Sequence, residues 1–256
     1  MIISTTGIIF RQIRTGGGRR MLLLFTKDLG KISCGTSLGK NQKSRSQLAL
    51  HPYTYGNYQI YQGRNYYNLD RAETIRSFYR IGENLDRYAA ASRILELTEK
   101  VVPEDLPMPQ VFDLLIDFFD ALEHRGSRFE TLTLAYEVKL LRALGSFPLL
   151  DRCAHGGEEG ELTYFSIPDG GMICEDCVRK LASEGQDSLI YKVKFDIVSI
   201  IKYLEEKPFQ AFHGTALKQE QSEILERIFR EYFAYHLEIR GLKSDSVIPA
   251  FSKEES

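Results

Sequence analysis

Cys153, His155, Cys174 and Cys177 are the residues of this chain whose types and spacing suit metal chemistry. A structural zinc sits in a tetrahedron of thiolate and imidazole donors, usually supplied as two short pairs on tight turns. Cys174-Glu175-Asp176-Cys177 is such a pair, at C-x2-C spacing. The other half reads Cys153-Ala154-His155-Gly156. Gly156 occupies the place of a second thiolate, and His155 stands in at a C-x-H spacing that demands a different turn. Two readings stay open: one structural zinc on these four residues, or an insert that folds on packing alone. A catalytic zinc is disfavoured, because no neighbouring Glu or His pattern supplies a general base. Cys34 lies elsewhere, in an alternating segment, and is expected to pack as a small apolar residue.

The second set of chemically suggestive residues is cationic. Residues 1–80 contain thirteen Lys and Arg against three acids, Asp28, Asp70 and Glu73, a surplus of 13 − 3 = +10. The whole chain carries −2, so the remainder carries −2 − 10 = −12. A basic module joined to an acidic one points to a polyanion partner for the first. The candidate phosphate-binding residues are Arg11, Arg14, Arg19, Arg20, Lys27, Lys31, Lys40, Lys43 and Arg45. Tyr53, Tyr55, Tyr58 and Tyr61 offer rings that could stack on bases. A strand alternates faces, so at most about half of them face a ligand and the others pack inside.

Enzyme chemistry finds little support. Gly16-Gly17-Gly18 is not followed by Gly-Lys-Ser/Thr and reads as a hairpin tip, and Gly39-Lys40 is followed by Asn41. Neither is a nucleotide-hydrolysing loop. The five histidines pair with no nucleophile or acid in a catalytic pattern.

These residues must be positioned by two kinds of element. Residues 1–69 read as β, with Ile8–Arg14, Met21–Phe25 and Gly30–Thr36 as strands, Tyr53–Tyr61 as a strand pair and a last strand near Tyr66–Leu69. That many short strands suit a small barrel of the oligonucleotide-binding (OB) size. From Asp70 the period changes: Ile75, Phe78, Ile81, Leu85, Tyr88, Ala91 and Leu95 form a helical stripe with Asp70 as its expected cap. Val111–Leu122, Ser127–Leu144, Leu189–Leu204 and Lys218–Ile239 are further expected helices. The expected class is α+β, an OB barrel followed by a helical domain with a zinc-ribbon-like insert. Its expected division is 1–70 for the barrel, 71–148 and 181–240 for the helices, 149–180 for the insert and 241–256 for a disordered tail. No apolar run approaches the about 20 residues that span a bilayer, and the start lacks a signal-peptide pattern. A cytoplasmic protein is expected, and disulfides are not.

Several runs resemble one bacterial family. Leu24-Phe25-Thr26-Lys27-Asp28-Leu29-Gly30-Lys31-Ile32-Ser33, then Gly39-Lys40-Asn41-Gln42-Lys43-Ser44 and Leu48 to Tyr53, resemble the start of the recombination mediator RecO. Tyr88–Leu97 resembles that family's helical signature, and Tyr136–Leu141 with Pro148–Cys153 resembles the approach to its zinc site. The likeness runs in order over about residues 1–240. It implies a non-catalytic protein with an OB domain, a helical body and a four-cysteine zinc insert whose metal some members lack. It implies binding of single- and double-stranded DNA, strand annealing, and help in loading RecA onto DNA coated by single-stranded-DNA-binding protein (SSB). The implied partners are RecR and the acidic C-terminal tail of SSB, with RecA engaged indirectly, near the nucleoid and away from membranes. The chain departs from the family at Gly156, at the less basic Asn41-Gln42, and at the tip Thr15–Arg20, which is more basic than usual. The competing reading is a protein-interaction scaffold in which DNA contact is incidental.

Overall fold

The computed structural model describes residues 1–14, 20–36, 47–156, 161–186 and 188–246. Five strands, β1 (Ile2–Arg14), β2 (Arg20–Thr26), β3 (Gly30–Thr36), β4 (Thr54–Gln62) and β5 (Tyr67–Ser77), close a barrel in the order β1-β2-β3-β5-β4. This is the connectivity of the OB fold. The long β1 serves two neighbours. Ile2–Ile8 pairs with β4, Gly7–Arg14 pairs with β2, and an irregularity between Ile9 and Arg11 lets the strand turn from one to the other.

The barrel interior holds Ile9, Leu22, Leu24, Ile32, Cys34, Tyr58, Ile60 and Leu69, with Ala49 and Leu50 packed against them. The opposite face of β1 and β2 is also covered. Phe10 stacks on Phe25 at 5.5 Å, and Phe25 meets Phe112 edge-on at 5.4 Å. Burial on both faces explains why Met21–Phe25 is an unbroken apolar run rather than an alternating one. Cys34 is fully buried, as its setting in the sequence implied.

Among the described residues, six α-helices follow: α1 (Leu85–Val101), α2 (Pro109–His124), α3 (Glu130–Ala143), α4 (Glu175–Ser183), α5 (Phe195–Glu206) and α6 (Gln219–His236). Asn84 caps α1, its side-chain oxygen accepting from the Arg87 N–H at 2.9 Å. Pro109 opens α2 at a position where its missing N–H costs nothing. The strands β6 (Leu162–Ser166), β7 (Gly171–Cys174) and β8 (Ile190–Lys192) form a small sheet in the order β7-β6-β8. The described chain divides into two compact units, Met1–Phe129 with the described residues from Leu242 on, and Glu130–Gly241.

Four expectations need correction. The helix from Asp70 does not form: Tyr67–Ser77 is β5, and Ile75, counted in the helical stripe, is 47% exposed. Barrel closure decides this, because β4 pairs with β5 from Thr54↔Ser77 to Gln62↔Tyr67. Tyr53–Tyr61 is not a strand pair but most of the single strand β4. The helix expected over Leu189–Leu204 begins only at Phe195, because Ile190–Lys192 adds β8 to the edge of β6. The tail is ordered at its start: Lys243–Ser246 makes a 3-10 turn whose Lys243 and Ser244 N–H groups donate to the Glu96 carboxylate. Residues 247–256 lie outside the described residues.

Gly30 governs the entry to β3. Its φ is +74°, and a Cβ there would lie 2.1 Å from the Leu106 carbonyl oxygen. Gly30→Ala should therefore lower unfolding free energy by about 2–4 kcal/mol, read as a reduced urea midpoint. Alkaline pH should weaken the fold as well. Burial pushes the Cys34 thiol up to about 12 and raises the Tyr53 and Tyr58 hydroxyls above their usual value. Groups raised in the folded state keep stability intact below their unfolded pKa values, about 8.5 for Cys and about 10 for Tyr. That stability is lost as pH climbs toward the folded values. Urea midpoints should fall from pH 8.5 upward, with a smaller fall near pH 9 in Cys34→Ala.

Candidate nucleic-acid interface and metal centre

Lys27, at the end of the β2 hairpin, places its ammonium 2.8 Å from both carboxylate oxygens of Asp113 on α2. That hydrogen bond holds the Lys27 pKa above its ordinary value. Arg11 on β1 reaches Glu99 of α1 at 2.9 Å, and Lys31 on β3 donates to the Glu99 backbone oxygen at 2.8 Å. Arg76 on β5 bridges Asp120 and Glu123 of α2. The first two helices thus bring carboxylates against the basic barrel. Residues 81–129 contain ten Asp and Glu against five Lys and Arg.

The candidate phosphate ligands therefore divide. Arg11, Lys27 and Lys31 are drawn toward helical partners. Arg20, half-buried at the start of β2, has no carboxylate partner among the described residues. Arg14 ends β1. Arg19, Lys40, Lys43 and Arg45, with the tip and loop that carry them, lie outside the described residues. Arg64 and Arg71, passed over in favour of the β1–β3 bases, are exposed and also lack a carboxylate partner among the described residues.

Alternation along β4 sorts the tyrosines. Tyr58 is buried and donates to the Ala49 carbonyl at 2.7 Å. Tyr53 packs edge-on to Tyr88 and Phe119, and Tyr55 lies against Phe112. Tyr61 alone of the four is exposed, at 43%, and its ring lies 6.1 Å from that of Tyr66.

In the second unit, Cys153, Cys174 and Cys177 come together, all buried, with their sulfurs within 4.8 Å of one another. Cys174 ends β7 and Cys177 lies in the first turn of α4, so the C-x2-C pair straddles a strand–helix junction. The Ala154 N–H donates to the Met172 carbonyl at 2.7 Å and ties the third cysteine's segment to β7. Cys153 and Cys177 sulfurs are 3.7 Å apart. Zinc–sulfur bonds of about 2.3 Å in a tetrahedron give an edge of about 3.8 Å, so this spacing fits a thiophilic ion. His155 does not join the group. Its Nδ1 lies 2.8 Å from the Asp169 carboxylate, and Asp169 is itself held at the β6–β7 turn by its N–H bond to Ser166 Oγ. Gly156 offers no donor, so three of the four tetrahedral corners have ligands among the described residues.

Two family models cover nearly the whole chain: the Recombination protein O N-terminal model over residues 1–78 and the C-terminal model over residues 82–246. A DNA repair protein RecO from Alkaliphilus metalliredigens is 28% identical over 93% of this chain and 95% of its own length. One from Pelotomaculum thermopropionicum is 30% identical over 96% and 93%, and one from Bacillus pumilus is 29% identical over 93% and 91%. The OB barrel with its helical continuation defines the class, and the chain belongs to the RecO family of DNA repair proteins. No helix among the described residues is long and apolar enough to cross a membrane.

The ion pairs make a prediction about the barrel face. Glu99→Gln with Asp113→Asn releases Arg11 and Lys27. This double variant should elute from heparin at higher salt than a charge-matched Asp70→Asn, Glu73→Gln control, whose acids are exposed and hold no ion pair among the described residues.

Proposed function

We propose that this chain is a non-catalytic recombination mediator. It binds single- and double-stranded DNA, anneals complementary strands and assists RecA loading on SSB-coated DNA, with RecR and the acidic SSB tail as partners in the nucleoid. The observation that carries this is the surplus of ten positive charges in residues 1–80, on an OB barrel. Cations on such a surface neutralise phosphates and release counterions, which supplies affinity without sequence preference. Annealing makes and breaks no covalent bond. It requires two polyanions to be brought together on a surface that exchanges them quickly.

The same reading includes a structural zinc, for which the cluster of Cys153, Cys174 and Cys177 supplies thiolate donors. The thiolates would pin the segment before β6 to the β7–α4 junction, and the metal would supply cross-linking and no chemistry on DNA. Cobalt(II) titration tests it: one equivalent with a thiolate charge-transfer band, lost in Cys174→Ser, is expected. No band would leave the cluster as packing alone.

Reversal of Lys40, Lys43 and Arg45 to Glu tests the phosphate assignment. The slope of log K against log salt for an oligonucleotide should shrink by about 2, from three lost contacts at about 0.7 each. An unchanged slope excludes those three residues. An annealing rate at background with wild type would favour the scaffold reading.

A further inference from the structure

A cavity of about 380 Å³ opens on the barrel beside β3 and the β4–β5 turn. It arises because β3 changes partner along its length. Cys34–Thr36 pairs in parallel with Tyr67–Leu69 of β5. Lower down, Lys31 bridges instead to Glu104, and the Asp105 N–H donates to the Lys31 carbonyl at 3.0 Å. Between the two partners the barrel wall parts. Lys31, Ser33, Gln62 and Tyr67 line the gap, with Glu104 and Asp105 on its far side.

The rim is formed by the turn Gly63–Tyr66, closed by the Gly63 N–H donating to the Tyr66 carbonyl at 2.9 Å. Tyr66 is 58% exposed, and its ring lies over the bare backbone of Gly63, where a Cβ would stand 2.3 Å from Tyr66 Cε1. Tyr61 stands beside it. Arg64, at the same turn, is exposed and without a carboxylate partner among the described residues.

From this juxtaposition we infer that the Tyr61–Tyr66 rim and the cavity behind it form a subsite for an unpaired base of single-stranded DNA, with Arg64 on the adjoining phosphate. The inference rests on the DNA-binding reading and deepens it. Two neighbouring exposed rings offer a stacking platform, which every base satisfies through its π-face. Bases inside a duplex have their faces already stacked and present only edges, so the platform selects single strands. The wall behind it carries both amide donors, from Gln62 and Asn65, and carboxylate acceptors, from Glu104 and Asp105, as a base edge requires. The position also suits the fold, whose β4–β5 loop commonly contributes to oligonucleotide binding.

The chain has no tryptophan, so Tyr66→Trp places a single fluorophore on the platform. Oligodeoxythymidylate carrying a fluorescein label reports binding by anisotropy, and the tryptophan of the variant reports stacking. The expected result is quenching that saturates with the anisotropy curve. Tyr66→Ala should weaken oligodeoxythymidylate about tenfold, as loss of one stacked base implies, with the salt slope and duplex affinity unchanged. Tyr66→Phe should bind as wild type. Saturated anisotropy with unaltered tryptophan emission overturns the subsite and leaves DNA binding standing. Equal losses on single strand and duplex in Tyr66→Ala also overturn it, as a structural effect. Absence of any anisotropy change with wild type at low salt removes the DNA-binding reading and the subsite together.

Discussion

Closure of the barrel at β3 is the constraint on which the first unit depends. A five-strand barrel leaves β3 with too little of β5 to pair with, only Cys34–Thr36 against Tyr67–Leu69. The rest of its edge would present unpaired backbone groups, which is costly where water is excluded. The segment after α1 fills that need. Glu104 and Asp105 pair with Lys31 lower on that edge, and Gly30 gives the carbonyl of Leu106 room to approach. Glu104–Leu106 lie between the end of α1 and the start of α2, the helices that bring Glu99 and Asp113 to the barrel.

Those carboxylates give the basic surface a particular character. The pairs Arg11–Glu99 and Lys27–Asp113 join partners that are largely exposed on at least one side. Exposed pairs of this kind are worth about 0–1 kcal/mol each. In the DNA-binding reading, phosphates therefore exchange with helical carboxylates at little cost in either direction. A surface with weak internal competitors holds a strand without trapping it, and annealing has that requirement. Arg64 at the β4–β5 turn has no such competitor among the described residues, which distinguishes that corner of the barrel from the face of β1 and β2.

Much of this was legible in the sequence, and the failures have physical causes. Met21–Phe25 and the Ile32/Cys34 alternation marked β2 and β3, and Pro109 marked the start of α2. The run from Asp70 to Ser77 misled because Ile75 and Phe78 happen to match a helical spacing, while long-range pairing with β4 decides its conformation. The ion pairs were hidden for a similar reason: Arg11 and Glu99 are 88 positions apart, and Lys27 and Asp113 are 86. The C-x2-C pair was plain, and Cys153 joined it. His155 looked equally suitable from spacing alone, but Asp169, fourteen positions on, captures its Nδ1. Tyr66 and Arg64 carried a signal that was available, a Gly-Arg-Asn turn between tyrosines, and only their exposure beside a cavity separates them from ordinary turn residues.

In the proposed function, single-stranded DNA is held by the barrel. Hydrogen exchange of the full chain with and without saturating oligodeoxythymidylate tests it most directly. Slowed exchange is expected in β1–β3 and across Gln62–Tyr67, with the amides of Glu130–Gly241 unchanged. Protection confined to Glu130–Gly241, with the barrel amides unaffected, would contradict it.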